Sequence, residues 1–272
     1  MIGRRATVAA VALAFLTAGA RAGDVELLPD VTARLEGSYY VPPEDAFVWD
    51  TWIGGGAGLL RVKGTTAYLT ADVETILGRE RRAFDANQVG YHLETGLRIR
   101  AGRHLVVPFF HHVSRHLVDR PKTQLVDWNV LGVRVVGPLP GALPGRGRYS
   151  ASVGHTVEWR SVGYQWEVEG VLDLEVARRS WGDPYPEADV RFVSVDAHAS
   201  LPRGAFVDFL GQGGVRFASG GRSLEVFAAY EHRNDVFVLL PGERDRALLG
   251  LRIGFAGGSA GPDLPTGRLG RP

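Results

Sequence analysis

The densest gathering of reactive side chains in this 272-residue chain is Phe109-Phe-His-His-Val-Ser-Arg-His-Leu-Val-Asp119. In an extended strand, with its period of two, His112, Ser114 and His116 share one face and His111 points to the other. The next segment opens Gln124-Leu-Val-Asp-Trp-Asn-Val130, with Asp127 and Asn129 on one face. A hairpin turning around Arg120 and Pro121 sets His112 opposite Asn129 and Ser114 opposite Asp127, within cross-strand reach. A serine hydroxyl becomes a nucleophile when a base takes its proton, and the base needs an acceptor that holds its tautomer. Ser114, His112, and Asn129 or Asp127 supply those three parts. The competing reading is polar lining, since hydroxyl, imidazole and amide groups also pair with one another where no chemistry is done. A metal site is not expected. His112 and His116 lie four residues apart on a strand, about 13 Å, too far to share one ion. Calcium on the carboxylates Asp119 and Asp127 stays open, and no other cofactor is expected.

The elements that must position these residues declare themselves by alternation. In residues 162–178, Val162, Tyr164, Trp166, Val168, Leu172, Leu174 and Val176 fall on one side, and Gln165, Glu167, Glu169, Asp173 and Glu175 on the other. In residues 88–100, Val89, Tyr91, Leu93, Leu97 and Ile99 oppose Gln88, His92, Glu94, Arg98 and Arg100. Leu69, Ala71, Val73 and Leu77 oppose Asp72 and Glu74, and Val207, Phe209 and Val215 oppose Asp208, Gln212 and Arg216. This pattern along the whole chain, behind an export signal, describes an all-β, antiparallel transmembrane β-barrel. The amino terminus carries Arg4 and Arg5, an apolar run from Ala6 to Leu16, and small residues ending Ala20-Arg21-Ala22, so residues 1–22 read as a secretory signal. No later segment reaches the roughly 20 apolar residues that a membrane helix requires.

The spacing predicts twelve strands, near 31–41, 47–62, 65–78, 88–101, 104–118, 124–137, 148–160, 163–178, 189–202, 205–217, 222–234 and 245–256. Residues 23–30 then form an N-terminal periplasmic segment, 31–256 the barrel and 257–272 a C-terminal tail. An even strand number puts both termini on the periplasmic side, so twelve is preferred to eleven, although residues 31–41 could instead form a plug. The turns Lys63-Gly64 and Gly102-Arg103 are tight, as periplasmic turns should be. Pro138 to Gly147 and Ser180 to Ala188 are long on that same side and break the pattern.

Charge excludes some partners. Removing Arg4, Arg5 and Arg21 from a formal net charge of +1 leaves about −2, which gives no electrostatic reason for nucleic-acid binding. Cysteine is absent, so neither a disulfide nor a thiolate metal site is available. Arg79, Arg81 and Arg82 in an outer loop are candidates to meet lipopolysaccharide phosphates. Trp49, Trp52, Trp128, Trp159 and Trp166 suit an interfacial aromatic girdle. Inside, Glu167, Glu169, Asp173 and Glu175 are expected to face Arg98, Arg100, Arg216 and Arg233 across the lumen. On the strand of His112 and Ser114, the apolar Leu105, Val107, Phe109, Val113 and Leu117 take the lipid side, so the candidate triad is expected to point inward at the extracellular rim.

His-x-Ser on one strand, with Asn or an acid early in the next, resembles outer-membrane phospholipase A and the lipid A 3-O-deacylases. In the former the strand after the serine also carries a Trp-Asn pair, as Trp128-Asn129 does here. The longer stretch His112-Val-Ser-Arg-His-Leu-Val-Asp119 resembles the His-x-Ser-Ser-His-Leu-Gly-Asp-Glu motif of an uncharacterised family of bacterial outer-membrane barrels. Leu28-Pro29-Asp30 ahead of Ser38-Tyr39-Tyr40 is similar to that family's amino-terminal segment, whereas Arg115, Val118 and Arg120 depart from its motif. The strand Ala247-Leu-Leu-Gly-Leu-Arg-Ile-Gly-Phe255 resembles the C-terminal recognition strand of outer-membrane barrels, which implies handling by the barrel-assembly machinery. These resemblances imply a Gram-negative outer membrane, with membrane lipid and lipopolysaccharide as surroundings. In the lipid hydrolases the triad faces the membrane, which an inward triad would contradict. The reading is an outer-membrane barrel of undetermined activity, structural or accessory to the envelope. The alternatives are an outer-leaflet lipid hydrolase using Ser114, His112 and Asn129 or Asp127, and a narrow pore.

Overall fold

The computed structural model describes residues 25–121, 125–139, 146–177, 179–196, 204–235 and 242–258. The expected signal (1–22) and the tail beyond 258 lie outside them. A three-residue strip, β1 (Val25–Leu27), precedes a wall of twelve strands: β2 (Asp30–Glu44), β3 (Phe47–Val62), β4 (Thr65–Gly78), β5 (Asp85–Ala101), β6 (His104–Leu117), β7 (Val126–Pro138), β8 (Arg146–Arg160), β9 (Tyr164–Glu175), β10 (Asp183–Val195), β11 (Ala205–Ser219), β12 (Arg222–Asn234) and β13 (Glu243–Gly258). Each pairs antiparallel with its neighbours in the chain, and β13 closes on β2 from Ala247 opposite Val41 to Gly258 opposite Asp30. Residues 31–41 are therefore wall and not plug. Closure leaves no unpaired edge between the first and last strands of the wall, the condition for a sheet to cross a bilayer. β1 extends the line of β2 along β3, pairing Val25 with Val62.

Local chemistry sets the turns. Lys63-Gly64 (φ 48° and 83°) and Gly220-Gly221 (φ 57° and 76°) have two successive residues at positive φ, the geometry of tight hairpins whose twist matches the strands. The long turn expected at Ser180 to Ala188 is corrected, because β10 begins at Asp183. Pro184 and Pro186 concealed that start, since proline cannot donate to a ladder and reads as a breaker. Both pair with β11, opposite Val215 and Gly213, while the paired register with β9 begins only at Glu187. Most of Pro138 to Gly147 lies outside the described residues.

The outer wall is apolar: Leu35, Ile53, Leu69, Leu93, Leu131, Val168, Val207 and Leu251 are all exposed. The interior is filled with ion pairs. Arg134 makes a two-pronged contact with Glu94, at 2.9 Å on each arm. Arg34 meets Asp72 at 2.8 Å, and Arg191 meets Glu167 at 2.9 Å and Asp208 at 3.2 Å. Arg233 reaches Glu74 at 2.9 Å, and Arg252 joins Glu36 and Glu225 at 2.8 and 3.0 Å. Of the expected lumen partners, Arg216 does meet Asp173, at 3.6 Å. Arg98 instead meets Asp30 at 2.7 Å, and Arg100 is exposed near the end of β5.

The interior also holds two apolar clusters, which the sequence reading did not anticipate. Tyr40, Phe47, Ile76, Leu117, Leu210, Phe227, Ala229 and Leu248 form one. Phe109, Val113, Val126, Trp128, Val130, Val162, Tyr164, Val193, Val195 and Phe206 form the other. Two residues from the acid-rich ninth strand region, Val162 and Tyr164, thus turn inward instead of facing lipid. The cause is a register shift that leaves Gln165 unpaired: Ser194 faces Trp166, but Val195 faces Tyr164. Trp52 and Trp128, at 0% and 2% exposure, also belong to the interior and not to a girdle, whereas Trp159 and Trp166 stay exposed. In both clusters a phenyl ring lies over a cross-strand glycine, Phe109 over Gly132 and Phe227 over Gly250. A Cβ on Gly250 would sit 2.2 Å from the Phe227 ring.

Candidate functional site

The β6–β7 hairpin has the register expected of it, with His112 opposite Asn129 and Ser114 opposite Asp127. Its faces are reversed. Val107, Phe109, Val113 and Leu117 are buried, as are His111 and Arg115, while Phe110 on the alternate face is 38% exposed. His112, Ser114 and His116 share that alternate face, so the candidate triad lies on the outer wall of the barrel. The expectation of an inward triad failed because it took the lumen to be polar throughout. At this height the lumen carries an apolar cluster, so hydrophobicity no longer separates inside from outside.

The side chains on the outer face form a connected set. His112 Nδ1 and Asn129 Oδ1 are 2.7 Å apart. Asn129 Nδ2 donates to Glu158 Oε2 at 3.1 Å. Asp127 Oδ2 pairs with Arg160 Nε at 3.2 Å, so of the two acceptors considered, Asn129 serves the histidine and Asp127 the arginine. His116 meets the Tyr91 ring edge-on at 5.7 Å, and Tyr91 lies opposite Ser114 across the β5–β6 ladder. Ser114 Oγ has no hydrogen-bond partner among the described residues. Ser114 and His112 are next neighbours on the same face, two positions apart in the chain with a Cα separation of about 7 Å, which side-chain rotation can span. Beside and below the set, Leu93, Phe110, Leu131 and Val153 present an exposed apolar surface.

Glu158 and Arg160 were not foreseen. Counting alternately along β8 from the inward Thr156 places both in the lumen. A bulge changes the parity: Val130 pairs with Thr156 but Asn129 pairs with Glu158, leaving Val157 as the extra residue. No residue type in the sequence marks that insertion.

The outer-loop arginines are engaged with protein. Arg79 meets Asp45 at 2.8 Å, Arg82 meets Asp119 at 2.6 Å, and Arg81 donates to the Asp119 carbonyl at 2.6 Å. Arg79 and Arg82 remain more than half exposed, at 55% and 62%. Asp119 and Asp127, the calcium candidates, each hold an arginine, and among the described residues no three His, Asp or Glu side chains converge as a metal cage requires.

No family model and no curated protein matches the chain. Among solved structures it is similar to the translocator domain of the autotransporter NalP from Neisseria meningitidis, at 12% identity and a TM-score of 0.42, covering 94% of this chain and 96% of that one. It is also similar to OmpF of Salmonella typhi, solved in complex with daunomycin, at 10% identity and a TM-score of 0.40, covering 85% and 97%.

Proposed function

We propose that the chain is a Gram-negative outer-membrane barrel whose outer wall carries a serine-dependent lipid hydrolase, acting on ester-linked acyl chains of the outer leaflet. The observation that carries this reading is the 2.7 Å contact between His112 and Asn129 on the membrane-facing side of the hairpin, with Ser114 on the same face. An inward set would need the lipid to leave the bilayer. An outward set meets it where it lies, with apolar wall for the chains and the rim arginine Arg160 near the headgroup level.

In this mechanism His112 takes the Ser114 proton as the hydroxyl attacks the ester carbonyl, then returns it to the departing alcohol. Water, activated by the same imidazole, cleaves the acyl-serine and releases the fatty acid. Asn129 keeps the ring oriented. Arg79, Arg81 and Arg82 are proposed to sit at lipopolysaccharide phosphates above the site. The exposed stripe Leu249, Leu251, Ile253 and Phe255 on β13 supports recognition by the barrel-assembly machinery.

A structural or accessory role is the second reading, favoured by a lumen occupied by ion pairs and two apolar clusters; the same filling speaks against a pore. The test is fatty-acid release from phosphatidylethanolamine and from lipid A by refolded protein in calcium-replete micelles. The hydrolase reading expects release by the wild type and none by Ser114→Ala. Full activity of Ser114→Ala, or an inactive wild type, leaves the accessory reading.

A further inference from the structure

We infer that Glu158 is a positioning residue, delivered to the outer wall by the bulge at Val157, that holds Asn129 in the one amide orientation placing the proton of neutral His112 on Nδ1. An asparagine side chain can present either its oxygen or its NH2 group to a neighbour. An ionised carboxylate only accepts hydrogen bonds. The Glu158 Oε2 contact at 3.1 Å therefore takes the Asn129 NH2, and Oδ1 turns to His112, where it lies 2.7 Å from Nδ1. A carbonyl oxygen also only accepts, so Nδ1 carries the hydrogen. Nε2 is left with the lone pair, as the nitrogen able to take a proton from Ser114.

The bulge is what makes this chain of contacts reachable. If the ladder continued evenly from Val130 opposite Thr156, Asn129 would face Val157 and Glu158 would point into the lumen. The extra residue brings Glu158 opposite Asn129 and Arg160 opposite Asp127, so one insertion supplies both polar neighbours of the hairpin. Bulges beside functional sites re-aim side chains in this way. The tautomer stands on geometry alone; its catalytic consequence rests on the hydrolase reading.

The experiment uses the full barrel in detergent micelles and reads the imidazole 15N shifts of His112, together with kcat and KM for fatty-acid release from dioleoyl-phosphatidylethanolamine. The wild type should show the Nδ1–H form. Glu158→Ala should give a mixture of tautomers and lower kcat about 10-fold at unchanged KM, the size expected for one charge-assisted hydrogen bond. Glu158→Gln keeps an acceptor oxygen and should recover most of the loss, while deletion of Val157, which makes Glu158 the residue after Thr156 and leaves it opposite Asn129, should keep the wild-type tautomer. A difference in migration between unheated and heated samples on gels checks that each barrel is folded. An Nε2–H form in the wild type, or an unaltered tautomer in Glu158→Ala, overturns the inference. An inactive wild type removes the hydrolase reading, and the 15N spectra then decide the role of Glu158 by themselves.

Discussion

Replacing Arg134 by methionine should destabilise the barrel sharply, and replacing Glu94 as well should reverse most of the effect. Arg134 and Glu94 are 5% and 1% exposed at their side chains and joined by two hydrogen bonds of 2.9 Å. Tyr68 also donates to Glu94, and the Arg134 guanidinium lies over the Phe109 ring at 4.7 Å. Methionine keeps the length of the side chain and its contact with the ring, but it removes both donors and leaves the Glu94 carboxylate buried with the Tyr68 hydroxyl. Breaking a buried pair on one side costs about 3–5 kcal/mol, whereas removing both charges together is close to neutral. With a urea slope of about 2 kcal/mol per M, the Arg134→Met midpoint should fall by about 2 M. The Arg134→Met/Glu94→Gln double variant should return to within about 0.5 M of wild type by the same slope, a coupling of at least about 3 kcal/mol. Unfolding is followed by tryptophan fluorescence in lipid vesicles, with reversibility checked from both directions. An unmoved midpoint for Arg134→Met, or a double variant whose loss is the plain sum of the singles, would refute the view that this pair is a coupled part of the interior.

Three further outcomes follow from the packing. Gly250→Ala drives a Cβ into the Phe227 ring and should lower stability by about 1–3 kcal/mol, with Phe227→Leu in the same chain recovering part of it, measured by the same urea titration. Leu131→Arg puts a charge in the middle of β7 on the outer wall and should cost about 2–4 kcal/mol of folding free energy in vesicles; an effect near zero would mean that this face does not meet lipid. Single-tryptophan chains should separate the two classes of indole. Trp166, 49% exposed, should be quenched by brominated lipid and Trp128, 2% exposed, should not, and equal quenching would contradict the assigned faces.

Much of the wall was legible because a strand that separates lipid from a charged interior must alternate. In β4, β5 and β11 the named Asp72, Glu74, Gln88, His92, Glu94, Asp208 and Gln212 are buried while Leu69, Leu93 and Val207 are exposed, and β3 and β4 have the predicted bounds. Legibility failed wherever the interior stopped being polar. On β6 the inward residues Val107, Phe109 and Val113 are as apolar as lipid-facing ones, so the pattern survived but its sign was lost. It failed again at bulges, where one extra residue at Gln165 or Val157 exchanges the two faces without any change in composition. Proline at positions 184 and 186 hid a strand start because its effect on a ladder depends on which neighbour is present.

The sequence by itself determined the closed antiparallel barrel, its strand count and the pairing of His112 with Asn129, because period, turn residues and hairpin register are local properties of the chain. Only the tertiary structure decided which way that pair points and which residue stands behind it. Facing is set by what fills the lumen, through contacts among residues far apart in sequence, such as the Tyr164 ring against Phe206 at 5.5 Å in one cluster. The neighbour of Asn129 is set by a register shift on a third strand, which placed Glu158 and Arg160 on the outer wall beside the two residues the hairpin had already paired.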